Sequence, residues 1–369
     1  MKRRQFLASP LAAGFAYNLQ AATPSQAVVA TGDGLSLSPV EYAALLQKLS
    51  PGIKTDSYAL GGAVAQLEEK VALSLGKEMA VWLPTGTLAN HLAVRILAGD
   101  KRRVLVQQEC HLFNDCGDCC ETLSGLHLIG LAPDRATFTL EQVKAEADRA
   151  ASGRVTVPIG AIQIETPVRR RRGEMFDLAE MKRISTWARE RQIGLHLDGA
   201  RLYLAAAYSG VPVQDYARLF DTVYVSMYKY FNAPAGAVLA GPRALLENLF
   251  HTRRMFGGGL SQAWPFAAVA GHYFEGFPER YRQAVGVSEK VIAGLQADSR
   301  FEIERIAAGT NIFALRMKQG DPVRLQERLE REGFVTAHPQ NGRLSLSVNE
   351  TWNRATAAEI LEKFRQAAS

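Results

Sequence analysis

The sequence predicts an α/β fold, with a mostly parallel sheet in a large domain and a smaller C-terminal α/β domain after it. Three observations predict it. Between residues 79 and 241, short apolar runs alternate with helix-period patterns, as in a parallel sheet covered on both faces. Beyond about residue 265 the alternation gives way to a long helical stretch and a second set of short strands. The 369 residues also exceed what a single core ordinarily holds. The expected division is a leader segment over 1–27, a large domain over 28–265 and a small domain over 266–369.

The elements follow in order. "SPVEYAALLQKLS" predicts a helix over 38–50, with Ser38 as N-cap and Pro39 in the first turn. A loop rich in Gly and Pro leads to a helix over 63–75, closed by Gly76. "MAVWL" (79–83) reads as a strand that turns directly into a helix at "PTGTLANHLAVRILAG". Further strands are expected at 103–107, 126–131, 160–165, 193–198, 222–227 and 236–241, with helices at 139–151 and 177–191. One long helical stretch is expected over 266–298. After it come strands near "FEIERI", "TNIFALRM" and "GRLSLSV", and a terminal helix over 355–367.

Residues 1–27 have a basic start, a short apolar centre and a small-residue end, the layout of an export signal. Arg3 and Arg4, followed by Phe6 and Leu7, match the twin-arginine type. This predicts a periplasmic protein, with a cytoplasmic one as the alternative. Cleavage after Ala22 and cleavage after Ala27 fit equally well. The twin-arginine route carries folded proteins, so a cofactor made in the cytosol could be bound before export.

Composition narrows the function. The chain is 47% hydrophobic and 22% charged, as soluble globular proteins are. Of its net charge of +6, three charges are Lys2, Arg3 and Arg4. What remains gives no basis for nucleic-acid binding, and the block Arg169 to Arg172 is too isolated to supply one. No apolar run is long enough for a clear membrane span.

The chemistry is carried by Asp198, at the end of "IGLHLD", and Lys229, which follows "DTVYVSMY". Pyridoxal phosphate (PLP) chemistry needs such a pair. The lysine holds the aldehyde as a Schiff base, and the carboxylate keeps the pyridine nitrogen protonated. Either residue alone would pass for a helix cap or a surface lysine. Thr85, Gly86 and Thr87 lie between a strand and a helix, where free N–H groups and the helix dipole favour a phosphate. His111 follows "RVLVQQEC" and would face the ligand crevice, to stack on a ring or move a proton. Glu165 ends another strand, with Arg169 on the loop after it. Three glycines follow Arg253 and Arg254 in "RRMFGGGLSQ", which suggests a close backbone approach. Arg343 precedes "LSLSV", and a guanidinium can grip a substrate carboxylate at two points. Cys110, Cys116, Cys119 and Cys120 all fall within eleven residues. With a single C-x-x-C they leave free thiols, a local disulfide and a metal site open.

Taken together, "LPTGTLAN", "LDGARLYLA", "YKYFNAPAGAVLAG" and "RRMFGGGLSQ" resemble the threonine aldolase/β-eliminating lyase family of fold-type-I PLP enzymes, over about residues 55–350. The resemblance implies Lys229 as the Schiff-base lysine, Asp198 as the pyridinium partner and His111 as the stacking histidine. It implies Gly86 and Thr87 at the phosphate, and Arg201 near the cofactor hydroxyl and the substrate carboxylate. Arg343 is implied as a carboxylate-binding arginine. Arg253 or Arg254 would reach the phosphate of a neighbouring subunit in a homodimer or homotetramer. Three positions depart from the family. Val168 stands where a histidine is expected, Gly32-Asp33-Gly34 replaces Ser-Asp-Thr, and Tyr228 and Tyr230 flank the lysine.

The leading expectation is cleavage of a β-hydroxy-α-amino acid to glycine and an aldehyde, with His111 as base and no metal. The alternatives are β-elimination to a keto acid and ammonia, an amino-acid binder without turnover, and a thiol or metal-binding module.

Overall fold

The structure, a computed structural model, describes residues 26–369. Most of the segment read as an export signal lies outside the described residues. Twelve strands follow in chain order among those described: β1 (Val28–Val29), β2 (Met79–Leu83), β3 (Arg103–Gln107), β4 (His127–Leu131), β5 (Ile159–Glu165), β6 (Gly194–Asp198), β7 (Thr222–Ser226), β8 (Ala237–Gly241), β9 (Phe301–Glu304), β10 (Ile312–Met317), β11 (Phe334–Val335) and β12 (Arg343–Ser347).

Seven of them form the large sheet, in the order β2-β8-β7-β6-β5-β3-β4. Only β8 runs antiparallel to its neighbours. The central strands are buried along their length because helices cover both faces, which is why they read as apolar runs without alternation. The parallel strands therefore end along one edge, where an open α/β sheet presents its crevice. Register sharpens this. Glu165 pairs with Asp198, and Asp198 with Tyr224, so three side chains from three strands stand in one row.

The helix ends follow local chemistry. Pro39–Leu49 starts with a full capping box between Ser38 and Glu41. Gly62–Leu75 is closed by Gly76 in the left-handed conformation. The expected long helix over 266–298 is two helices, Trp264–Phe274 and Phe277–Ala297. The break falls at Gly276, whose φ of 67° is one a helix interior does not use.

The apolar side chains form a core around the large sheet and another in the C-terminal region. Phe277 and Tyr281 belong to the first. From Ala284 onward the same helix packs in the second, with Phe313, Phe334, Trp352 and Phe364. One helix thus spans both cores. The sheet β12-β10-β9 backs the second core. Val28 and Ala30 also lie in this core, because β1 pairs in parallel with β11. That pairing, and the helix Pro322–Arg331, are absent from the sequence expectations. A two-residue strand is too short to show a period.

Asp56 fastens the start of helix Trp264–Phe274. Its buried carboxylate accepts N–H groups from Ala59 (2.7 Å), Ala263 (2.9 Å) and Trp264 (2.7 Å). Asp56→Ala would strand these donors away from water. Each orphaned buried donor costs about 1–3 kcal/mol, so urea unfolding should show a loss of about 3 kcal/mol or more.

Candidate active site

A cavity of about 500 Å³ opens at the carboxyl edge of the large sheet. It is lined by Asp198, Glu165 and Tyr224 from the row described above, and by His111, Lys229, Arg201 and Arg169 from the loops that follow the strands. The segment 32–37 covers one side.

Asp198 is 1% exposed. Oδ2 accepts a hydrogen bond from Asn90 Nδ2 (2.6 Å), and Oδ1 one from the Ala200 N–H (3.1 Å). No Lys, Arg or His lies within ion-pair distance of it among the described residues. A buried carboxylate served only by neutral donors, on the wall of a cavity, fits a cationic ring nitrogen as its partner.

Lys229 enters three residues after β7. Its Nζ donates to Tyr228 Oη (3.0 Å) and lies 4.3 Å from the centre of that ring. Gly34 passes directly over the lysine loop. A Cβ there would come within 2.5 Å of Asn232 Oδ1 and 2.6 Å of the Lys229 carbonyl, so the position requires glycine. Next to it, Asp33 accepts from Arg201 Nε (2.8 Å) and Asn311 Nδ2 (3.2 Å). Gly32-Asp33-Gly34, read as a departure from the family, is therefore a tight passage with a carboxylate that orients Arg201.

Glu165 ties two loops to the sheet. Its carboxyl accepts the His111 N–H (2.6 Å) and the Arg169 N–H (2.9 Å). Gln107 holds the Glu165 backbone from below through bonds of 2.7 and 2.8 Å. Burial, and then the charge of Asp198, push the Glu165 carboxyl up to about 8. The His111 imidazole is held above its ordinary value, by a hydrogen bond with Cys116 and by the charge of Asp198 and a bond to Asp115.

The other expected residues divide. The Thr85 hydroxyl caps its helix by accepting from the Leu88 N–H (3.2 Å), and Thr87 Oγ1 lies 3.6 Å from Cys116 Sγ. Neither they nor Gly86 lines the cavity. Gly86 is glycine for a local reason: a Cβ there would overlap the Tyr224 hydroxyl. Arg254 is exposed and stacks 4.4 Å over the Tyr58 ring. Arg253 is buried and donates to the carbonyls of Trp82 (2.6 Å) and Tyr58 (2.8 Å). Arg343 is not brought to the cavity. Its neighbours Leu344 and Leu346 turn into the small core, and strand alternation sends Arg343 to the opposite face. There it pairs with Glu304 (2.8 Å) in a separate cavity of about 270 Å³ beside Arg172 and His338. Val168 is fully buried, so nothing from that position faces the cavity. All four cysteines are free thiols. Among the described residues no three His, Cys, Asp or Glu side chains are placed to hold a metal.

Sequence reasoning missed Asn90 and His196, and took Asp33 only as part of a departure from the family. Asn90 sits inside the quoted "LPTGTLAN", and its signal was a polar residue in a helix interior. His196 was marked by being two residues before Asp198 on an apolar strand, hence on the same face.

A sheet-edge lysine, a buried carboxylate and a histidine around one cavity define a fold-type-I PLP enzyme. The family model of the beta-eliminating lyases matches residues 49–320, and the chain belongs to that family, whose members are PLP-dependent lyases. It is 31% identical over 207 residues to the low-specificity L-threonine aldolase of Saccharomyces cerevisiae, covering 56% of this chain and 53% of the yeast enzyme. The chain thus spans about half the length of that relative. An Arabidopsis thaliana low-specificity L-threonine aldolase is 25% identical over 308 residues, covering 82% of this chain and 86% of that protein. Among solved structures, a protein of Exiguobacterium sp. 255-15, provisionally assigned as an aromatic amino acid beta-eliminating lyase/threonine aldolase, superposes with a TM-score of 0.78. It shares 27% identity and covers 93% of this chain and 98% of its own. A provisionally assigned L-allo-threonine aldolase of Listeria monocytogenes EGD-E gives 0.75 at 26% identity, covering 93% and 95%. No helix among the described residues is long and apolar enough to cross a membrane.

The raised carboxyl of Glu165 has a pH consequence. The folded chain keeps this proton to about pH 8, whereas the unfolded chain releases it near the ordinary value of 4.5. Between those values the folded state binds more protons, so this group makes stability fall as pH rises. Glu165→Gln loses one acceptor and should be less stable than wild type at pH 5. The gap should narrow toward pH 8, as read by denaturant unfolding across that range.

Proposed function

We propose that this protein is a PLP-dependent aldehyde-lyase that cleaves Cα–Cβ of a β-hydroxy-α-amino acid, giving glycine and an aldehyde. The observation that carries the reading is the buried Asp198 carboxylate, unpaired with any cation among the described residues, on the wall that also bears Lys229 and His111. Its relatives named as threonine aldolases support it.

Lys229, Asp198 and His111, which line the cavity, would hold the cofactor; the helix start at Thr85, Gly86 and Thr87 stands outside that lining and would meet the phosphate from beyond it. When bound, PLP supplies a protonated ring that takes up the electron pair left on Cα. The residues here supply the rest. His111, with Nδ1 backed by Asp115, is the base that receives the β-hydroxyl proton. Tyr228 keeps a hydroxyl against Lys229 Nζ, so a proton can move between the two. Arg201 is oriented by Asp33. Arg169 lines the cavity without an acidic side-chain partner among the described residues, and takes the substrate carboxylate alongside it.

One observation favours β-elimination as a second reading: Val168 replaces the histidine expected near the substrate hydroxyl and can hold no proton. Product analysis separates the two reactions. Glycine with an aldehyde is expected; a keto acid with ammonia would reverse the assignment. Lys229→Ala should lose the visible absorbance of the holoenzyme and its turnover, while some PLP still binds through phosphate contacts. A variant that kept its yellow colour after borohydride treatment would remove Lys229 from its role.

The same reading makes the enzyme a homodimer or homotetramer in which the exposed Arg254 reaches the neighbouring copy's phosphate. Independently of that reading, the basic start with Arg3 and Arg4 supports a periplasmic enzyme exported by the twin-arginine route, with a cytoplasmic one as the alternative. Lys at positions 3 and 4 preserves charge, so ordinary secretion should tolerate the Arg3→Lys/Arg4→Lys chain, whereas twin-arginine export should stop. Fractionation should find that variant in the cytoplasm, folded and loaded with PLP. Equal periplasmic amounts of variant and wild type would reject the route.

A further inference from the structure

His196 has no exposed surface and stands two residues before Asp198 on β6. Neither it nor Asn90 lines the cavity, and the chemistry above uses neither. Yet they form one continuous line with the carboxylate. Asn90 Nδ2 donates to Asp198 Oδ2 at 2.6 Å, Asn90 Oδ1 meets His196 Nε2 at 2.9 Å, and His196 Nδ1 meets Thr222 Oγ1 at 2.9 Å. Asn90, His196 and Thr222 are all buried, so each polar atom has to find its partner within the line.

Donor and acceptor bookkeeping then leaves one arrangement. Against an ionised carboxylate the Asn90 amide must present its NH₂, because its oxygen would be repelled. The amide oxygen is thereby turned to His196, so Nε2 must carry the proton. Nδ1 is then bare and accepts from the Thr222 hydroxyl. Burial holds the imidazole down to about 3, so the ring is neutral and has a single proton to place. The titratable groups that feel the charge of Asp198 are Glu165, His111, Tyr224 and Cys110. None of them touches the Asn90 side of the carboxylate with a hydrogen bond.

We propose that Asn90 and His196 are positioning residues for the cofactor's ring nitrogen. The proton on His196 Nε2 sets the Asn90 amide, and the amide aims the Asp198 carboxylate at the ring nitrogen. The inference rests on the reading of Asp198 as the pyridine partner.

The test uses the purified protein in apo and PLP-loaded forms. Three quantities are measured: the dissociation constant of PLP, the pH midpoint of the bound cofactor's visible absorbance, and the melting temperature of the apo-protein. Asn90→Leu should weaken PLP binding about 10–100-fold, the loss typical of a supporting-shell partner, and should shift the midpoint. His196→Phe should shift both in the same direction by less. His196→Gln, whose amide can donate to Asn90 Oδ1, should recover most of the wild-type values. If both disruptive variants kept wild-type affinity and midpoint, whatever their melting temperatures, the line would be packing only and the proposal overturned. Should Asn90→Leu not fold, the nearly isosteric Thr222→Val removes the donor to Nδ1. An unmoved midpoint in Thr222→Val and His196→Phe together overturns it equally. Asp198→Asn separates the two levels. If that variant behaves as wild type, the reading of Asp198 itself fails. If it alone changes the cofactor, only the role of Asn90 and His196 fails.

Discussion

A charge buried away from water has to be met by something, and in this protein that requirement falls on Asp198. The protein meets it with an amide and a backbone N–H, and leaves the remaining side open to a cavity. Much of the architecture follows. The helix Gly86–Ala98 must lie against β6 to deliver Asn90, and Gly86 must lack a side chain so that Tyr224 can stand beside Asp198 in the same row. No side-chain cation among the described residues pairs with this carboxylate. A preorganised charge of this kind is useful because it needs no rearrangement when its partner arrives.

Glu165 performs a different task one strand away. Its two oxygens take N–H groups from the His111 loop and the Arg169 loop. A single buried carboxyl thereby sets the separation between a proton-carrying side and a cationic side of the cavity. Its raised affinity for a proton follows from the same placement, since burial disfavours its charge and two carboxyls adjacent in register resist being ionised together.

The strands of the large sheet were legible because each is an apolar run bounded by turn residues, and the observed limits fall within a residue or two of the expected ones. Asp198, Lys229 and His111 were legible because their chemistry fits the ends of such runs. Residues that act through contact were not. Asn90 and His196 have meaning only once β6 and the helix Gly86–Ala98 are side by side, which no local pattern states. Arg343 shows the opposite limit. Its residue type suits a carboxylate, but which face of β12 it occupies depends on where Leu344 and Leu346 point. The break at Gly276 was hidden because helix-forming patterns continue on both sides of it. Asp33 looked like a missing motif and is a working contact, because its partner Arg201 lies 168 residues away.

The pairing of β1 with β11 bears on how the chain is made. Segment 32–37, which closes one side of the cavity, is continuous with Val28–Val29, and those residues are seated on Phe334–Val335. Asn349 reinforces the seat through the carbonyls of Val29, Thr31 and Gly32. Ribosomal synthesis delivers the partners of this segment long after the segment itself. The large sheet can form while the C-terminal core is still being translated, but the wall over Lys229 cannot. That wall of the pocket therefore matures only once residues 334–349 have been made, when an early stretch of sequence docks onto a much later one.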